Sequence, residues 1–145
     1  MPKITLNHYN LMTRKLDETV AFYTSVLGLK TGFYPVELGP GAWLYDSTDT
    51  PVVHTQEVID ENFAEVAAKT QARLGDLRKP FSIDDLWGSA TVDHVAFQCE
   101  DIDAFRAHLQ DLDVPFRESG VASAAVRQIF LCDPNGVILE LNFRN

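Results

Sequence analysis

His8 precedes His54 by 46 positions (54 − 8), and His94 precedes Glu140 by the same 46 (140 − 94). Neutral imidazoles and a carboxylate are the donors that hold Fe(II), Mn(II), Ni(II) or Zn(II). Two imidazoles and one carboxylate on one face leave positions open for substrate and for dioxygen. A single strand histidine is more often a core or edge residue than a ligand. The repeated interval lifts these four residues out of that background, since it is the mark of an internal duplication with a metal site between its halves. Glu140 adds weight. It sits in the apolar run 137–143, where an ionised carboxylate needs a cation, a hydrogen-bond network or solvent.

The elements that must position these residues read alike in both halves. Residues 4–11 alternate with period two and put Ile4, Leu6 and His8 on one face of a strand. Asp17 reads as the N-cap of a helix over 18–27 that ends at Gly28. Strands follow at 29–34, 42–46 and 51–55. The second half repeats this order: a strand over 92–99, an Asp101 cap with a helix over 102–112, then strands at 115–119, 126–132 and 137–143. Asp133-Pro134-Asn135-Gly136 is the turn of the last hairpin. A two- or four-residue loop there puts Arg127, Ile129 and Leu131 on the face of Glu140. A three- or five-residue loop puts Gln128 and Phe130 there instead.

Residues 56–90 belong to neither repeat. They predict a helix from Asp60 to Leu74, then a loop too apolar to be a free linker, with Phe81, Ile83, Leu86 and Trp87. That loop is either a lid or a dimer contact. The expected organisation is a first module at 1–55, the insertion at 56–90 and a second module at 91–145, all in one structural domain.

Composition narrows the partners. A net charge of −9 argues against nucleic acid and against anionic membrane surfaces. No apolar run is long enough to span a bilayer, and the first residues have no secretory h-region. Cys99 and Cys132 are too few for a disulfide framework and read as reduced core cysteines of a cytoplasmic protein. His108, beside Arg106 and Gln110, reads as a solvated helix residue.

Three stretches carry a resemblance: Leu16–Tyr23 with Val26-Leu27-Gly28-Leu29, then Val92–Phe97, then Arg127–Phe130 with Asp133–Leu141. Together they make the chain similar to the vicinal oxygen chelate superfamily (glyoxalase I, bleomycin- and fosfomycin-resistance proteins, extradiol dioxygenases). The resemblance implies an α+β fold of two βαβββ modules whose mixed sheet cups a divalent metal. It implies His8, His94 and Glu140 as metal ligands, Fe(II) or Mn(II) ahead of Zn(II) or Ni(II). His54 stands where glyoxalase I enzymes carry a carboxylate, and is expected to be a fourth ligand or an acid/base group. Tyr45, Trp87, Arg127, Gln128 and Phe130 are the expected substrate contacts. The activity implied first is that of an extradiol-dioxygenase-like enzyme binding a catechol-type or vicinal-oxygen small molecule through two oxygens. A glyoxalase-like lyase or isomerase is the alternative enzyme, and a non-catalytic drug-binding protein the alternative outside catalysis. A homodimer is the expected assembly.

Overall fold

The computed structural model describes residues 1–144. One connectivity occurs twice along it. The first copy is strand β1 (Tyr9–Thr13), helix α1 (Leu16–Ser25) and strands β2 (Lys30–Thr31), β3 (Gly41–Tyr45) and β4 (Pro51–Glu57). Helix α2 (Phe63–Leu74) follows, with short 3₁₀ turns after it. The second copy is strand β5 (Val95–Cys99), helix α3 (Ile102–Asp111) and strands β6 (Phe116–Val121), β7 (Val126–Cys132) and β8 (Ile138–Arg144). The sheets have matching orders, β1-β4-β3-β2 and β5-β8-β7-β6. In each, the opening and closing strands run parallel and the others antiparallel. The fold is therefore α+β, two βαβββ modules with mixed sheets. The chain divides into two compact units, Met1–Leu86 and Trp87–Asn145, so α2 gathers with the first.

Each sheet buries one face. On β4, Val53 and Thr55 turn inward, while α1 contributes Thr19 and Tyr23 and packs on β3 and β4. On β8, Leu139, Leu141 and Phe143 turn inward, with Ile102 and Leu109 of α3 buried in the same unit. Fully burying side chains such as Leu44, Val53, Leu139 and Leu141 stabilises each unit by about 1.5–3 kcal/mol per residue. Period-two alternation then turns His54 and Gln56, and likewise Glu140 and Asn142, to the opposite face.

Both opening strands start later than the alternation predicts. β1 begins at Tyr9, and residues 1–8 are exposed, including Ile4 and Leu6. Among the described residues it pairs with β4 alone, whose first residue, Pro51, has no amide to donate, and the ladder starts at Tyr9↔Val53. β5 likewise begins at Val95, opposite Leu139, because β8 itself starts at Ile138. His8 and His94 thus each lie one residue ahead of a strand.

The helix caps differ too. α1 begins at Leu16 rather than after Asp17, because Thr13 Oγ1 accepts the Lys15 amide (2.9 Å) and the Lys15 carbonyl accepts the Thr19 amide (2.9 Å). Asp17 and Glu18 fall in the first turn, where carboxylates favour the helix N-terminus. Asp101 caps α3 as expected, its side chain accepting the Ala104 amide at 3.0 Å. Cys132 is exposed rather than part of the core, since on β7 the inward positions are Ile129 and Leu131. Among the described residues no helix is long and apolar enough to cross a membrane.

Candidate functional site

The register of the two modules repeats to the residue. In the first, Asn10 pairs with His54, and His8 lies two positions before Asn10. In the second, Ala96 pairs with Glu140, and His94 lies two positions before Ala96. The four ligand-type residues come together two by two: His8 with His54, and His94 with Glu140. Among the described residues no group of three His, Cys, Asp or Glu side chains is placed to hold a metal ion.

In the second module His94 Nε2 lies 2.9 Å from Glu140 Oε2. Glu140 is only 6 % exposed, so this contact and its others carry the cost of burying a carboxylate. Gln128 Nε2 donates to the second oxygen, Oε1, at 2.9 Å, and lies 3.2 Å from Asn142 Oδ1. Asp93 Oδ2 sits 2.8 Å from His94 Nδ1. A carboxylate behind Nδ1 fixes the tautomer that leaves Nε2 free to bind a metal. Phe130 stands edge-on to the His94 ring, centroids 6.0 Å apart. The hydrogen bond His94 donates to Asp93, then the charges of Glu140 and Asp93, raise the His94 pKa.

In the first module His54 is held in a parallel stack. His8 lies on its ring at 3.7 Å and Trp43, its cross-strand neighbour on β3, at 4.3 Å. Phe33 and Tyr34 meet Trp43 edge-on, and the Tyr34 hydroxyl is fixed by the Gly39 carbonyl at 2.9 Å. His54 Nε2 is buried and has no hydrogen-bond partner among the described residues. Burial first, and the nearby His8 second, lower the His54 pKa. The stack borders an open groove of about 600 Å³ that Tyr34, Leu38, Lys69 and Arg73 also line.

The two shifts have opposite signs and make a prediction for the metal-free protein. His94 should titrate above the ordinary imidazole value of about 6.5, and His54 below it. His94 then contributes stability that is present below 6.5 and lost as pH rises through its folded value. His54 resists protonation when folded, so its contribution is lost as pH falls from 6.5 towards its folded value. Imidazole NMR shifts recorded against pH check this order, and a His54 that titrates above His94 overturns it.

The expected substrate contacts separate into two groups. β7 and β8 are joined over residues 133–137, a five-residue loop, and Phe130 pairs with Glu140. Gln128 and Phe130 therefore share the Glu140 face. Arg127 falls on the other face, opposite the buried Phe143, and lies 3.9 Å from Glu118. Glu118 is also held by Arg106, which Asp103 accepts at 2.5 Å. Tyr45 follows a register shift in β3; its hydroxyl donates to the Phe33 carbonyl at 2.8 Å and its ring covers Gly32. Trp87 packs on Gly136 in the β7–β8 turn. Neither Tyr45 nor Trp87 borders the groove at His54.

Sequence reasoning passed over Asp93 and Trp43. Asp93 was visible as an acidic neighbour of the ligand histidine. Trp43 could be found only from the β3–β4 register, which a bulge after Leu44 obscures.

Comparison with known proteins bears on the fold and the family. The curated Arabidopsis thaliana protein "Glyoxylase I 4" is 24 % identical over 140 residues, covering 94 % of this chain and 69 % of its own. The solved fosfomycin resistance protein FosX from Listeria monocytogenes superposes with a TM-score of 0.66 at 17 % identity, over 99 % of this chain and 96 % of its own. Lactoylglutathione lyase from Agrobacterium tumefaciens gives 0.63 at 16 % identity, over 98 % and 95 %. These structural likenesses speak to fold alone. Residues 5–141 match one family throughout, and the chain belongs to the Glyoxalase/Bleomycin resistance protein/Dioxygenase superfamily.

Proposed function

We propose that this protein is a divalent-metal enzyme of the vicinal oxygen chelate type, with His8, His94 and Glu140 as ligands and His54 beside them. The observation that carries the reading is the duplicated register: each module brings one pair of donor side chains into contact at the same place in its sheet. The donors fit a divalent cation. His54 keeps a buried nitrogen without a partner, and His94 Nε2 and Glu140 Oε2 point at one another with Asp93 set behind the imidazole. Each pair alone supplies two donors, too few for a tight site. The proposed assembly is a homodimer.

A divalent cation there supplies Lewis acidity that stabilises negative charge developing on a chelated oxygen. The chain's residues do the rest. Gln128 keeps Glu140 oriented, Asp93 keeps the His94 tautomer, Phe130 meets the His94 ring edge-on, and Trp43 covers one face of the His54 ring. His54, held neutral by burial, is suited to take a proton from a hydroxyl of the substrate at Nε2.

With two imidazoles, one carboxylate and a basic His54, we favour an extradiol-dioxygenase-like reaction on a catechol-type substrate with Fe(II) or Mn(II). The unpartnered Nε2 of His54 also supports a second reading, a glyoxalase-like lyase or isomerase in which it is a fourth donor to Zn(II) or Ni(II). The free cysteines suit a reducing, cytoplasmic setting.

Metal analysis of the purified protein, oxygen uptake with catechols under Fe(II), and an isomerase assay under Ni(II) or Zn(II) separate these readings. Stoichiometric metal with oxygen uptake is the expected outcome. Metal with isomerase activity alone rejects the dioxygenase. Absence of bound metal after reconstitution rejects both and leaves a small-molecule binder.

A further inference from the structure

The groove of the first unit has two chemically different sides. One is aromatic and apolar, with Tyr34, Leu38 and Trp43 next to His54. The other is cationic, formed by Lys69 and Arg73 one turn apart on α2. This is unusual ground in a chain of net charge −9. Four of its 12 Lys and Arg residues (Lys69, Arg73, Arg78 and Lys79) fall within residues 69–79, against the single acid Asp76. Lys69 already pairs with Glu65 at 2.7 Å, whereas Arg73 has no carboxylate partner among the described residues. Glu37 also lines the groove. Glu65 already matches Lys69, and Glu37 lies within salt-bridge distance of neither cation, so Arg73 is the one cation of the groove left without an ion-pair partner among the described residues. A monoanionic carboxylate fits that balance better than a doubly charged phosphate. An Arg guanidinium also offers a carboxylate a two-bond fork.

We propose that α2, the insertion outside the duplication, makes this groove a subsite for the carboxylate of a planar aromatic acid. The ring lies along Tyr34 and Trp43, and the carboxylate rests on Arg73 and Lys69. The proposal deepens the enzyme reading and rests on it for the fate of the ligand. The binding preference itself is independent of metal.

Titrating the metal-free protein with 3,4-dihydroxybenzoate and with its methyl ester, by calorimetry and tryptophan fluorescence, tests it. The acid should bind roughly tenfold tighter than the ester, and added salt should weaken only the acid. The double variant Lys69→Met/Arg73→Met should bind acid and ester alike. Its ester affinity, melting temperature and metal content should stay at wild-type values. Equal binding of acid and ester by the wild type, or a preference that survives the double variant, overturns the proposal. Metal content and turnover are read separately. A failed enzyme reading with an intact acid preference is therefore distinguishable from the reverse.

Discussion

Replacing Glu140 with Gln will leave the protein folded and lower its affinity for divalent metal by at least about a hundredfold, the upper range for losing even an outer-shell partner. Glu140 is a good place to separate fold from chemistry. Gln has the same volume, so Leu139 and Leu141 on the other face of β8 keep their packing. Its amide can still meet both present neighbours, His94 Nε2 and Gln128 Nε2, through one oxygen and one nitrogen. What disappears is the negative charge. The His94 pKa should fall, because Glu140 is one of the charges that raise it, but it should stay above the ordinary value while Asp93 remains. Glu140→Ala is the harsher partner variant. It opens a void and leaves the Gln128 amide with Asn142 alone for its two N–H groups, so its melting temperature should fall along with its metal affinity. Metal titration against a competing chelator, alongside thermal melts, decides the point. A Glu140→Gln protein that binds metal as tightly as wild type removes Glu140 from the ligand set.

Much of the fold was legible because turn signals and one periodicity carry it. Turn residues delimited β3, β4, β7 and β8, and the 3.6-residue pattern with Asp101 located α3. Strand starts were harder to read, since a strand lasts only as long as its partner. Ile4 and Leu6 alternate as well as any buried pair, yet Pro51 stops the ladder that would pair them. The equal intervals predicted the matched register of His8/His54 and His94/Glu140, because a duplication preserves spacing. Parity in the last hairpin stayed open until the loop length was known. A five-residue loop puts Gln128 against Glu140 and sends Arg127 to Glu118. Contacts across a bulge, such as Trp43 on His54, and the basic side of α2 come from tertiary placement and have no sequence period.

Gly41→Ala will be the most damaging single-methyl change in the first unit, costing about 2–3 kcal/mol. Gly41 opens β3 opposite Gln56. A Cβ there falls on the Thr55 carbonyl oxygen and lies 2.5 Å from the Tyr34 hydroxyl. The carbonyl belongs to the backbone of β4, and the Thr55 hydroxyl is itself tied to Ala42 at 2.8 and 3.0 Å, so that side cannot yield cheaply. The tyrosine can move only by leaving the Gly39 carbonyl and its edge contact with Trp43. The methyl therefore forces a choice between the β3–β4 ladder and the aromatic wall that supports His54. For a chain of this size each kcal/mol lowers the melting temperature by roughly 2–4 °C, so a drop of about 4–12 °C follows. Gly120→Ala is the control: its nearest neighbour, the Val126 carbonyl oxygen, is 3.1 Å away, and the entropy gained by restricting the unfolded chain offsets that crowding. Differential scanning calorimetry of both variants gives the answer. If Gly41→Ala melts with Gly120→Ala at the wild-type temperature, the tight approach of β3 to Thr55 and Tyr34 is wrong, and with it the support assigned to Trp43 and His54.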